Sequence, residues 1–107
     1  MKLHFSIEYL THWGEDVRVA LTLVDAKRKR QEQICPLETR DGRVWSGEVL
    51  LSDSHIRAFS YHYRIYRGED VARKEWDFVP RRFRADTTKS YEFPDAWRDV
   101  PLFSHLY

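Results

Sequence analysis

The chain has 107 residues, a length that suits one small domain and excludes a second domain of ordinary size within it. Lysine plus arginine number 18 and aspartate plus glutamate 17, and the resulting charge of +1 excludes the strong positive field that draws proteins to nucleic acid or anionic membranes. Hydrophobic residues make up 42% of the chain, which is too much for a disordered segment and enough for a core.

Apolar and polar residues alternate with a period of two along most of the chain, and this pattern predicts β-strands. The longest alternation places Phe59, Tyr61, Tyr63 and Ile65 on one face and leaves the residues between them facing solvent. Glycine-containing turns separate the strands. The predicted strands are residues 3–9, 17–23, 31–37, 45–51, 56–66, 71–76 and 88–93. About seven strands at this spacing predict an all-β, antiparallel β-sandwich.

Targeting and cofactor signals are sparse. Cys35 is the only cysteine, which excludes an internal disulfide and a cysteine zinc site and favours a reducing compartment. Polar residues interrupt the first nine positions, and no apolar run is long enough to cross a bilayer. The five histidines lack metal-ligand spacing and the four glycines form no phosphate-binding loop. We therefore expect a cytoplasmic protein with no metal, cofactor, nucleic-acid or membrane partner.

Two tryptophans lie where burial alone explains them poorly. Trp13 stands beside Gly14 in a predicted loop, and Trp76 stands between Glu75 and Asp77 in a charged stretch. A flat ring flanked by polar groups suits a sugar, whose C–H face stacks on the ring while its hydroxyls form hydrogen bonds. Core packing remains the alternative for both residues. It is the favoured interpretation for Trp45 and Trp97.

Two basic segments invite functional readings. Residues 27–30 are four consecutive basic residues between two predicted strands, where a solvated hairpin tip is the expected structure and a nucleic-acid site is not. Arg81, Arg82 and Arg84 follow Trp76, so an arginine there either donates to a ligand on the indole or forms a structural ion pair. The residue pattern leaves these two alternatives open.

No catalytic constellation is evident. The carboxylates show no fixed spacing that marks an acid–base pair, and Cys35 precedes Pro36 with no histidine nearby in sequence. We therefore expect a non-catalytic domain.

Several short motifs, taken in order, resemble the family-20 starch-binding modules. They are THWGEDVRV (residues 11–19), VWSGEV (44–49), FSYHY (59–63), KEWD (74–77) and PRR (80–82). The resemblance implies an immunoglobulin-like sandwich of seven or eight strands that binds α-1,4-glucan at up to two surface sites. It covers nearly all of residues 3–99. We expect the module to occupy residues 1–99 and residues 100–107 to begin a linker to a following domain.

The resemblance also assigns site residues. Trp76 and Asp77 match the tryptophan and acid of the first site, where Arg81 replaces the usual asparagine and His62 the usual lysine. The second stacking tryptophan of that site has no counterpart in this sequence.

At the second site of the family, Trp13 matches the aromatic residue before the Gly-Glu turn, and Trp45 matches the aromatic residue that opens a later strand. Arg82 matches an arginine with a largely structural role in the family.

The chain also resembles the start of cytoplasmic 4-α-glucanotransferases of glycoside hydrolase family 77, in which such modules precede a catalytic barrel. By this resemblance, the partners are α-glucan polysaccharide or malto-oligosaccharide and the catalytic domain of the parent chain. The alternative is a degenerate module whose exposed aromatics dock against a neighbouring domain or another protein.

Overall fold

The computed structural model describes residues 1–52, 55–75 and 81–98, which contain nine β-strands and no helix. No helix in this part of the chain could therefore cross a membrane. The strands are β1 Lys2–Glu8, β2 Glu15–Asp25, β3 Arg30–Pro36, β4 Glu38–Thr39, β5 Val44–Leu50, β6 Ile56–Arg67, β7 Asp70–Lys74, β8 Arg81–Arg84 and β9 Ser90–Ala96.

The strands form two sheets. The first sheet has the order β4-β5-β1-β9, and the second has the order β3-β2-β6-β7, with β8 also paired to β6. Strand β7 pairs with the carboxyl half of β6 and β8 with its amino half, so the two short strands share one edge of β6. The all-β sandwich predicted from the alternation is confirmed. One pairing, β1 with β9, is parallel.

The core lies between the two sheets and is built from the inward residues of β1, β2 and β6. Phe5, Val19, Phe59, Tyr63 and Ile65 are fully buried, as expected for strands with one face on a core. Aromatic rings dominate the centre, where the ring centroids of Phe5 and Tyr61 lie 4.8 Å apart in an edge-to-face arrangement.

Three details differ from the predicted strands. Strand β8, which coincides with the basic cluster, and the two-residue β4 lie outside the predicted strands. Residue 76, the predicted end of the sixth strand (71–76), lies outside the described residues. Tyr66 faces outward as predicted, yet it is buried because the guanidinium of Arg18 lies 4.1 Å from its ring centroid.

The outer faces of the two sheets carry opposite charge. Register pairs on the outer face of the first sheet bring Glu48 and Glu92 beside His4 and bring Glu38 beside Ser46. The outer face of the second sheet presents Arg18, Arg30, Arg64, Lys74, Arg82 and Arg84 at paired positions, and these outnumber the acids Asp16 and Glu32 on the same face. The near-zero net charge therefore hides an excess of acid on the first face, where Lys2 is paired with Glu48, and an excess of base on the second.

Candidate glycan-stacking groove

Trp13 lies in the loop between β1 and β2 and is 99% exposed. This confirms the prediction that its ring faces solvent. Folding gains nothing from an apolar ring left entirely in water, so burial does not explain the tryptophan at this position. Gly14, which follows it, has φ +87°, a left-handed conformation that glycine adopts without steric penalty.

The side chain of Glu15 fixes the loop that carries Trp13. The carboxylate is 2% exposed and accepts a hydrogen bond from the backbone N–H of His12 at 2.8 Å, while the Glu15 N–H donates back to the His12 carbonyl at 3.0 Å. Arg73 Nη2 donates to the same carboxylate at 2.7 Å, and Arg67 lies 3.9 Å away. These bonds, the one from His12 foremost, hold the pKa of Glu15 below its ordinary value of 4.5.

A second turn, between β4 and β5, faces the Trp13 loop. Asp41 Oδ1 accepts from the backbone N–H groups of Arg43 at 2.9 Å and Val44 at 3.0 Å. The N–H of Val44 and then that of Arg43 lower the pKa of Asp41. The carbonyl of Gly42 accepts from both the backbone N–H and the hydroxyl of Thr11, at 2.9 and 3.0 Å. The two loops are therefore tied together at the junction of the two sheets.

Between these loops lies an open groove of about 580 Å³, which we call the Trp13 groove. Its lining residues are Thr11, His12, Trp13, Gly14, Glu15, Thr39, Arg40, Asp41, Gly42 and Trp45. Trp45 is 6% exposed, which confirms the core interpretation of that residue, and its buried indole N–H has no hydrogen-bond partner among the described residues. The structure thus brings Trp13 and Trp45 to one groove, with only Trp13 offering a broad exposed ring.

The groove suits binding better than acid–base chemistry. Its two carboxylates, Glu15 and Asp41, both accept backbone N–H bonds and have lowered pKa values. Both are therefore ionised at neutral pH, and neither is poised to donate a proton. An exposed ring beside Arg40, Asp41 and His12 instead offers one apolar face with polar groups at its edge.

Arg81 has a structural role instead of the ligand-binding role expected from the sequence. Its side chain is 7% exposed and binds Glu75 through Nη1–Oε1 at 2.6 Å and Nη2–Oε2 at 3.1 Å. Nη2 also donates to the Ala96 carbonyl at 2.9 Å, and Nε lies 3.3 Å from Asp95. With these donors engaged inside the sandwich, Arg81 has no place in a surface sugar site.

His62 lies on the other side of the same sheet. Arg81 pairs in register with Tyr61, and the next residue along β6 points to the opposite face. His62 Nε2 accepts a hydrogen bond from Arg64 Nε at 3.0 Å. The structure therefore does not bring His62 and Arg81 together. Trp76 and Asp77 lie outside the described residues.

Side chains alternate between the two faces of β8, and this alternation exchanges the roles expected for Arg81 and Arg82. Arg81 turns inward with Phe83, whereas Arg82, assigned a framework role by resemblance, turns outward opposite Ser60. Glu15 is the main residue that the sequence reasoning missed. Glu15 follows His12 by three residues and accepts its backbone N–H, which is the spacing of a capping box. That spacing is the feature of the sequence from which the role of Glu15 could have been predicted.

Comparisons with known proteins identify the fold. No known family profile matches the chain, and no curated protein matches it in sequence. Among solved structures, the chain is similar to part of a glycoside hydrolase family 15 glucoamylase from Hypocrea jecorina, with a TM-score of 0.65 and 17% identity. The match covers 92% of this chain and 17% of that one. The two therefore share a fold, and this chain spans a small fraction of the glucoamylase.

Proposed function

We propose that this chain is a non-catalytic α-glucan-binding module that stacks a glucose unit on Trp13. The observation that carries the proposal is a fully exposed indole on a loop fixed by a buried carboxylate. The order of sequence motifs, which resembles the starch-binding modules, and the fold shared with part of a glucoamylase both support it.

The geometry predicts weak binding. A pyranose stacked on one indole buries on the order of 100 Å² of apolar surface, worth about 2 to 3 kcal/mol before ordering costs. Hydrogen bonds donated by Arg40 and accepted by Asp41 add to this, so one platform corresponds to roughly millimolar affinity. Such an interaction is useful when it raises the local concentration of a polymer around a linked domain.

Affinity electrophoresis through gels containing amylose or glycogen tests the proposal. We expect Trp13→Ala to migrate faster than the parent chain in these gels and equally fast in plain gels. Leu10→Ala is the matched control, since Leu10 is 65% exposed on the same loop and does not line the groove. Trp13→Tyr retains a flat ring and should keep part of the retardation.

Titration with maltoheptaose, followed by tryptophan fluorescence, separates sugar binding from protein docking. A change at millimolar sugar that disappears in Trp13→Phe supports the proposal. If the fluorescence of the parent chain does not change with sugar and Trp13→Ala still folds, the result would favour the alternative of a docking module, since exposed aromatic residues also suit protein interfaces. Absence of turnover of maltotriose by the chain is the expected result for a non-catalytic module.

We further propose that the module serves a 4-α-glucanotransferase of family 77 type, a proposal supported by the sequence resemblance alone. Reading the complete open reading frame tests it. A following second sandwich and a catalytic barrel are expected, and a frame without a barrel would contradict it.

A further inference from the structure

A second groove, of about 320 Å³, lies on the outer face of the second sheet. Strand register places two rows of side chains beside it. One row crosses the sheet as Glu32, Thr22, Ser60 and Arg82, and the next row as Arg30, Val24, Ala58 and Arg84. We call this the arginine groove; its lining residues are Thr22, Val24, Arg28, Arg30, Ala58, Phe59, Ser60 and Arg82.

The lining contains three arginines, two hydroxyls and no carboxylate. Glu32, the acid that stands opposite Thr22, lies 3.5 Å from Arg64 and is paired there. Among the described residues, no carboxylate lies within ion-pair distance of Arg28, Arg30 or Arg82, in contrast to Arg18 and Arg81. The arginine groove therefore concentrates positive charge that the fold leaves uncompensated.

The backbone of Arg28 provides an independent observation. Arg28 has φ +63° and is the only residue other than glycine with positive φ in the described chain. It lies in the hairpin loop between β2 and β3, which is closed by a bond from the Asp25 N–H to the Lys29 carbonyl at 3.1 Å. Within the loop, the Asp25 carbonyl accepts from the Arg28 N–H, and Asp25 Oδ1 accepts from the N–H groups of Lys27 and Lys29. Glycine is the usual residue at this position of such a loop. The residue with this strained backbone is also one of the three arginines that line the groove.

We propose that the arginine groove binds a phosphate dianion, either free or as a monoester. Guanidinium groups match the geometry of phosphate oxygens and donate charge-assisted hydrogen bonds, and the hydroxyls of Thr22 and Ser60 complete the set of donors. The groove, at about 320 Å³, has room for a phosphate group and a substituent. On the same outer face, Arg18 and Arg64 are already paired with Asp16 and Glu32, so their charge is less available to the extended chain of a nucleic acid.

This inference does not depend on the Trp13 groove, which lies at the junction of the two sheets and shares no lining residue with the arginine groove.

The test is a titration of the isotopically labelled chain with inorganic phosphate, glucose 6-phosphate and glucose, followed by amide chemical shifts at constant ionic strength. We expect the phosphate-bearing probes to shift the amides of Thr22, Ser60 and Arg82, with affinity on the order of 1 mM. Glucose should leave them unchanged. Equal affinity for both phosphate probes identifies a free-anion site, and tighter binding of glucose 6-phosphate identifies a monoester site.

Two variants separate binding from folding. Arg82→Gln and Arg28→Gly should each weaken phosphate binding by about tenfold, which corresponds to 1.4 kcal/mol. Arg28→Gly should not lower the melting temperature, because glycine relieves the strained backbone at that position. The matched control is Arg57→Gln, which removes the same charge from an exposed residue of β6 outside the groove and should bind like the parent chain.

Three results would overturn the proposal. They are equal loss of phosphate binding in Arg57→Gln and Arg82→Gln, absence of shifts at these amides with either phosphate probe, and tight binding of a single-stranded oligonucleotide without binding of phosphate. The first would show a diffuse charge effect and the third a nucleic-acid surface.

Discussion

Arg81 and Glu75 form a bidentate ion pair inside the sandwich, with side chains 7% and 0% exposed. Glu75 also accepts the backbone N–H groups of Tyr63 at 2.8 Å and Arg98 at 2.6 Å. One carboxylate thus joins β6, β8 and the segment after β9, and it is satisfied by four donors.

Removing this carboxylate should strongly destabilise the fold. In Glu75→Gln the buried guanidinium of Arg81 loses its main counter-charge, and breaking one partner of a buried pair costs about 3 to 5 kcal/mol. For a chain of this size we expect the melting temperature to fall by about 10 °C or more. The matched control is Glu69→Gln, since Glu69 is 95% exposed and lies 3.9 Å from Arg18. Similar melting temperatures for the two variants would contradict the structural role assigned to Arg81.

Acid should weaken the Trp13 loop through Glu15. The folded state lowers the pKa of Glu15, chiefly through the His12 N–H, so its ionised form stabilises the fold. That contribution is fully present above the ordinary value of 4.5 and is lost as the pH falls through the lower folded pKa. Thermal unfolding of the parent chain and Glu15→Gln should therefore differ most near neutral pH and converge as the pH falls from 4.5 through the lower folded pKa. A constant difference down to the acid limit would contradict this reading.

The conformation of Gly14 should matter for sugar binding and not only for stability. Alanine at φ +87° is strained, at a cost of about 1 kcal/mol, although its Cβ would meet nothing closer than Arg67 Nη1 at 3.7 Å. Gly14→Ala should therefore lower both the melting temperature and the retention on amylose. Gly68→Ala is the matched control, since Gly68 has φ +63° with no atom within 4 Å of an added Cβ and lies outside the Trp13 groove.

In that control, stability should fall to a similar extent while retention stays at the parent level. Loss of retention in both variants would show that destabilisation alone explains the effect.

The sequence resemblance assigns the first sugar site to Trp76, which lies outside the described residues, and this assignment is a prediction. We expect Trp76→Ala to migrate faster in amylose gels than the parent chain, with unchanged melting temperature. Two weak platforms on one chain act together on a polymer, so the double variant with Trp13→Ala should lose retention by more than either single variant. Parent-like migration of Trp76→Ala would remove that site and leave the Trp13 groove as the single platform.

The period-two alternation predicted most of the fold, because β2 and β6 each pack one face on the core. A shift of either strand by one residue would turn its apolar side chains toward solvent, so the pattern in the sequence must match the structure. The parallel pairing of β1 with β9 joins segments about 88 residues apart, as in the pair Lys2 and Ser90, and no local pattern encodes it. Strand β8 escaped notice because three of its four residues are arginines.

The candidate sites were less predictable for a related reason. Whether Arg81 or Arg82 faces the core is decided by the phase of a four-residue strand, and both residues are chemically identical. The exposure of Trp13 followed from its place beside a glycine turn. The fixing of that loop by Glu15 depends on Arg73, which is 58 residues away in the chain.

The buried anchor beneath Trp13 has a thermodynamic consequence. Folding has already restricted the loop backbone, so ligand binding to the indole costs little further conformational entropy of the loop. A larger share of the contact free energy is therefore retained as affinity. The sandwich thereby acts as a rigid scaffold that holds the apolar face of the Trp13 ring exposed to solvent, so that a ligand can bind without rearrangement of the loop.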